Sequence, residues 1–165
     1  MAIPRNIKQY PLHNNVRYAQ RRHPAAYTSQ EIAQVERIPG EEFAKTVILK
    51  ADQGFVMAVV PADHVIDIER LRTQVGWGRL VLATEGEFGD LFPFCEPGSM
   101  PPFGKFFGMP VYCDAALAEE REIEFNAGTH MDTIRMTFSS FSKLENPLLL
   151  NFSEKCRTER AVRSA

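Results

Sequence analysis

Cysteine is scarce in this sequence: three in 165 residues, Cys95, Cys113 and Cys156, widely spaced and with no CxxC pair. An odd, scattered set supports neither a disulfide framework nor a zinc site, so free thiols in a reducing compartment are expected. Long apolar runs are missing as well. No segment reaches the roughly 18 consecutive apolar residues of a membrane span, and the opening Met1-Ala2-Ile3-Pro4-Arg5-Asn6 has no apolar stretch of secretory-signal length. A cytoplasmic location is therefore expected, with no membrane partner. Neither sign of charge dominates: 19 Lys and Arg stand against 21 Asp and Glu, for a net charge of −2. That balance excludes a protein that coats nucleic acid through its overall field. RNA contact would need a local basic surface, either Arg17, Arg21 and Arg22 or Lys155, Arg157, Arg160 and Arg163, and each group also reads as ordinary solvated charge.

Several chemical signatures are absent. The chain has neither GxGxxG nor GxxxxGK[ST], which excludes the common phosphate loops. It has no GxSxG elbow and no HExxH, and Ser29, Ser99, Ser139, His13, His23 and His64 fall in no recognised catalytic arrangement. No metal or cofactor is implied. Cys113 sits in an apolar run and Cys95 has no basic residue nearby, so both read as inert thiols.

What is present is an ordinary globular composition, 44% hydrophobic and 24% charged, at a length suited to one domain with a continuous core. Val16 to Arg21 reads as a strand. Thr28-Ser29-Gln30-Glu31 has capping-box spacing and opens a helix closed near Pro39-Gly40. Phe43 to Leu49 and Gly54 to Val60 are β-branched runs joined by Lys50-Ala51-Asp52-Gln53, a hairpin at the centre of a sheet. Ile66, Ile68, Leu71 and Val75 recur at helical spacing until Gly76. Arg79 to Ala83 reads as a strand and Thr84 to Glu87 as a short helical turn.

Phe92 to Gly108 holds Pro93, Pro97, Pro101, Pro102, Gly98, Gly104 and Gly108. So many fixed or permissive positions predict a long shaped loop. Met109 to Cys113 is a strand, Asp114 caps a helix through Glu120, and Ile123 to Asn126 and Thr133 to Phe138 are strands joined across Ala127-Gly128-Thr129-His130. A last helix spans Ser140 to Glu145, and residues 151–165 read as a polar C-terminal tail. Strands and helices intermix without βαβ alternation, which predicts a single α+β domain over residues 1–165, with a mixed β-sheet and surrounding helices.

Three segments carry candidate chemistry. Lys45 lies at the start of a probable core strand, where an ammonium needs a partner or a cleft; a strand-end lysine reaching solvent is the bland alternative. Gly98-Ser99-Met100-Pro101-Pro102-Phe103-Gly104 can present backbone amides in a fixed concave geometry able to hold a carbonyl or oxyanion, or can be a structural crossover. Asn126-Ala127-Gly128-Thr129-His130 brings amide, hydroxyl and imidazole groups to one turn, although a lone histidine is more often a surface or turn residue.

These segments, in this order and spacing, resemble the YbaK/prolyl-tRNA synthetase-associated editing domain family, and the likeness extends from about His23 to Pro147. The resemblance implies a mixed sheet with surrounding helices and hydrolysis, in trans, of the ester between a wrong amino acid and the tRNA 3′ end. Alanine, cysteine, serine or proline analogues on tRNA-Pro are the expected substrates, and an aminoacyl-tRNA synthetase is a possible partner. Lys45 matches the family's essential lysine, while Gly98, Pro102 and Gly104 match the loop that shapes the aminoacyl pocket. The remaining substrate-binding candidates by the same likeness are Ser99, Met100, Pro101, Phe103, Asn126, Gly128, Thr129 and His130. Two competitors stay open: a non-catalytic tRNA- or synthetase-binding module, and an unrelated small-molecule enzyme using Asp114, Asp132 or His130. Glu154 to Arg163 is also readable as a partner-binding helix.

Overall fold

A computed structural model describes residues 2–156; Arg157, Arg160 and Arg163 lie outside the described residues. The centre of the fold is the hairpin expected from the sequence. Strand β2 (Ala44–Ala51) pairs antiparallel with β3 (Gly54–Pro61), with Ala51 opposite Gly54 and a two-residue loop at Asp52-Gln53. Around it a five-stranded sheet runs in the order β5-β2-β3-β6-β9, where β5 is Leu80–Leu82, β6 is Val111–Asp114 and β9 is Leu148–Leu150. The β3–β6 and β6–β9 pairs are parallel and the others antiparallel, so the sheet is mixed. A three-stranded antiparallel sheet, β1 (Ala19–Arg22), β8 (Asp132–Thr137) and β7 (Glu122–Asn126), meets it at one parallel bridge, Phe43 to Glu124, reinforced by Glu124 N donating to Glu42 O at 2.9 Å.

The two faces of the five-stranded sheet carry separate cores, because strand side chains alternate with period two. Ala44, Ile48, Met57 and Val59 belong to the larger core, with Met100, Phe103, Phe125, Ile134 and Phe141. Leu49, Val56, Ala58 and Val60 belong to the smaller one, closed by Leu71 of α3 (Ile68–Val75) and by Phe152. A third group, Ile32, Ala33, Ile38, Phe43 and Ala62, seats helix α2 (Ser29–Glu36).

Side-chain caps set most helix starts. Thr28 accepts from Glu31 N at α2, Asp67 from Arg70 N at α3 (Ile68–Val75), and Asp114 from Ala116 N at α6 (Ala115–Ala118). At α4 (Glu85–Phe88), Thr84 and Glu87 complete a capping box. Thr137 accepts from Ser140 N and starts α7 (Phe138–Glu145). Each cap satisfies a backbone donor that has no partner inside its helix.

One element was not anticipated and three expectations need correction. The N-terminal segment forms helix α1 (Arg5–His13), whose Ile7 and Pro11 are buried; Pro11 falls in its last turn. Ile66 ends a short strand, β4 (His64–Ile66), and the helix begins only after Asp67 caps it. Within the Phe92–Gly108 loop a helical turn, α5 (Gly104–Phe107), is present. The polar tail does not begin at Asn151. Phe152 is fully buried, and Ser153–Lys155 form β10, antiparallel to β4. One large apolar residue in a polar segment supplies enough burial to hold the strand in place.

Candidate functional site

Two chain segments far apart in sequence are laced together by backbone hydrogen bonds. Gly128 N donates to Ser99 O, and Glu96 N donates to Gly128 O, both at 2.9 Å. Glycine is required at 128 twice over: φ is +95°, and a Cβ there would lie 2.9 Å from Pro4 Cδ. On the neighbouring side, a Cβ placed on Gly98 would be 3.7 Å from His130 Cε1. The Gly98–Gly104 loop and the Asn126–His130 turn are therefore one structural unit. Among the described residues the backbone N–H groups of Gly98, Met100, Thr129 and His130 make no hydrogen bond.

The rest of the loop is more deeply seated than an open binding loop would be. Ser99 through Gly104 are all buried, and only Gly98 is exposed. Phe103 is a core residue whose ring lies 5.1 Å from that of Tyr10 and 5.4 Å from that of Phe125. At Gly104 a Cβ would collide with Val111 and sit 2.6 Å from the Met109 carbonyl oxygen, so packing alone demands glycine. Ser99 Oγ donates to Glu96 O at 2.7 Å, which holds the turn. Glu145, almost wholly buried, accepts from Lys105 N at 3.0 Å and from Tyr10 OH at 2.7 Å. It ties α7, α5 and α1 into a support behind the loop. Burial pushes its carboxyl pKa up, and the two donors oppose that rise.

The turn is internally braced. Thr129 Oγ1 donates to Asp132 Oδ2 at 2.6 Å and accepts from Met131 N at 3.1 Å. His130 packs against Tyr27, with ring centroids 4.9 Å apart. His23 N donates to Met131 O at 2.9 Å, bringing His23 beside the turn. Its Nδ1 meets the Pro24 carbonyl at 2.7 Å and so carries the hydrogen, because a carbonyl can only accept.

Lys45 lies on β2 opposite Val60. Since Phe43 bridges Glu124 in parallel, Lys45 comes level with Asn126, at the point where the two sheets part. Its side chain takes the face of Val47, Leu49 and Val60, whereas Met100 and Phe103 belong to the core on the opposite face. The ammonium donates to His64 O at 2.6 Å. Burial lowers its pKa, and the charges of Cys156 and Asp63 work against that fall. Sequence proximity to an apolar strand thus identified a half-buried cation, but not its anchor.

Behind His64 runs a chain of donors. His64 Nδ1 and Ser153 Oγ are 2.8 Å apart, and Ser153 Oγ donates to Asp114 Oδ2 at 2.8 Å. The single hydroxyl hydrogen goes to the carboxylate, so the imidazole donates to the serine. That direction is the reverse of a Ser-His-Asp relay, in which histidine takes the serine proton, and Ser153 is a brace rather than a nucleophile. Asp114 also accepts from Phe152 N at 3.0 Å and Ala116 N at 2.9 Å. Cys95 and Cys113 are poor nucleophiles: burial pushes Cys95 up to about 12 and raises Cys113 as well.

Buried polar atoms without a partner point to the same region. Among the described residues Asn126 Oδ1 and His130 Nδ1 of the turn, and His23 Nε2 beside it, are buried without a hydrogen-bond partner, as is Thr46 Oγ1 on β2. Buried polar atoms are satisfied by protein, water or ligand in native proteins, so these are positions able to accept such a partner. His23 was missed as a neighbour of the turn: it stands in no motif, and only the tertiary bond from His23 N to Met131 O brings it there. The unbonded amides suit a ligand with a carbonyl or anionic oxygen, whereas the Lys45 ammonium, on the other face of β2, is held at His64 O.

Residues 23–144 match the family model described as Aminoacyl-tRNA editing domain. A curated relative, Multifunctional Ser/Thr-tRNA deacylase ProXp-y of Escherichia coli strain K12, is 26% identical over 135 residues, covering 79% of this chain and 80% of that protein. Proline--tRNA ligase of Exiguobacterium sibiricum is 33% identical over 79 residues, 48% of this chain; the match spans only 14% of the ligase. Among solved structures, one described as a candidate trans-editing enzyme for prolyl tRNA synthetase superposes with a TM-score of 0.80 at 23% identity, covering 93% of this chain and 99% of that one. With the family model covering most of its length, the chain belongs to the aminoacyl-tRNA editing domain family.

Proposed function

We propose that this protein is an aminoacyl-tRNA deacylase that hydrolyses a mischarged small amino acid from tRNA-Pro in trans, in the service of translation fidelity. The observation that carries the reading is the laced loop and turn, with the unbonded amides of Gly98, Met100, Thr129 and His130 beside unpaired buried polar atoms. In the reaction, water attacks the ester carbonyl carbon, the bond to the ribose oxygen breaks, and the ribose leaves with a proton. Negative charge develops on the carbonyl oxygen, where fixed amide donors stabilise the transition state more than the ground state. Lys45 serves as a fixed cation for the terminal adenosine or the carbonyl. Selection is steric, because small apolar side chains differ by little binding energy and an editing site admits what fits. The names of the relatives, a Ser/Thr-tRNA deacylase and prolyl-tRNA ligases, support this substrate class and a synthetase as partner.

One observation favours a second reading. The 2.6 Å bond from Lys45 to His64 O is a structural use of the ammonium, as expected of a module that binds tRNA without cleaving it. Deacylation of a panel of alanyl-, cysteinyl-, seryl- and threonyl-tRNAs by wild type and Lys45→Ala separates the two. Hydrolysis of at least one member, reduced roughly 100-fold or more in the variant with its melting curve retained, is the expected result. Full activity in the variant refutes the role of Lys45; no hydrolysis by wild type, with tRNA bound, establishes the binding module.

A further inference from the structure

A pocket of about 750 Å³ opens between the start of α1 and the Pro93–Glu96 segment, with Thr129 on its wall. It adjoins the loop-and-turn unit, because Glu96 N is bonded to Gly128 O and Pro4 packs against Gly128. Three features of its lining are unexplained by packing. Phe94 is 59% exposed and its ring meets no other aromatic ring among the described residues. Arg5 is exposed and makes no ion pair among the described residues. The first turn of α1 has no acidic residue and no side-chain cap, so its free amides add positive potential beside that guanidinium. Glu96 also lines the pocket, and its carboxylate has no hydrogen-bond partner among the described residues.

We propose that this pocket is a nucleotide subsite that receives a cytidine of a single-stranded RNA 3′ end. The base stacks on Phe94, its exocyclic amine donates to Glu96, and its phosphate lies at Arg5 and the start of α1. Each pairing follows from the chemistry. Base faces stack on exposed aromatic rings whatever their sequence. A carboxylate accepts from the cytosine amine and repels the carbonyl that uracil carries at that position. A guanidinium matches a phosphate. The volume lies within the range of small-ligand sites. The proposal rests on the deacylase reading and deepens it: with the terminal adenosine and its ester at Gly98 and His130, the preceding cytidine falls at Thr129 and beyond.

Amide NMR titration of the full chain with the trinucleotide CCA tests it, with UUA and inorganic phosphate as comparison probes. CCA is expected to shift the amides of residues 5–9, 94–96 and 129. Phe94→Ala is expected to weaken CCA binding about tenfold, UUA to bind several-fold more weakly, and phosphate alone not to reproduce the pattern. Phe94 and Arg5 are exposed, so their alanine variants leave the core intact. Absence of shifts at these residues at millimolar CCA overturns the proposal, as does wild-type affinity in both variants; equal binding of UUA removes cytidine as the occupant. The two readings fail separately. Deacylation with no CCA at the pocket defeats the subsite alone, whereas CCA seated there without deacylation of any tRNA defeats the enzyme reading alone.

Discussion

Phe152→Ala is expected to cost far more than a substitution so near the chain's end would suggest. Phe152 is completely buried among Val60, Leu71 and Leu80, and Phe-to-Ala truncation in a core costs about 3–5 kcal/mol in transfer and cavity terms. For a chain of this size that corresponds to a fall in Tm on the order of 6–20 °C. Urea unfolding followed by tryptophan fluorescence is a direct assay, because Trp77 packs edge-on against Tyr112 at 5.1 Å and borders the same core. A loss below about 1 kcal/mol at unchanged m-value would refute the burial of Phe152. The effect reaches the candidate site. Ser153 follows directly, braces His64, and His64 O receives Lys45. Truncation after Leu150 therefore removes a core residue together with the support of Lys45, and does not merely trim a tail.

Two further predictions concern the support of the loop. Gly104→Ala is expected to destabilise by about 1–3 kcal/mol, because the new Cβ meets the Met109 backbone and nothing there can swing aside; denaturant unfolding checks it, and an unchanged midpoint contradicts the steric account. Glu145 has a pKa raised above the ordinary 4.5 by burial, so the folded state holds its proton more tightly than the unfolded chain. Its contribution is most favourable below 4.5 and falls as pH rises through its folded value. Glu145→Gln cannot ionise, so its stability relative to wild type is expected to rise between pH 4.5 and neutrality. A flat or falling difference in urea midpoints would show that the hydrogen bonds from Lys105 and Tyr10 outweigh burial.

The sequence by itself determined the locally encoded elements. The apolar, β-branched runs of β2 and β3 and their polar turn made the hairpin legible, and Thr28, Thr84 and Asp114 marked helix starts with side chains that cap the next backbone donors. The three segments bearing Lys45, the Gly98–Gly104 loop and the Asn126–His130 turn were legible because their residue types are unusual where they stand. Tertiary structure alone decided the rest. Helix α1 and strand β10 are short and mostly polar, stable only because Ile7 and Phe152 find cores built by distant segments. The face of β2 taken by Lys45 depends on strand register, since a shift of one residue reverses every side chain. The burial of Ser99 through Gly104 and the arrival of His23 beside the turn depend on contacts between segments distant in sequence. Local patterns cannot contain that geometry, because the residues that create it are separated by long stretches of chain.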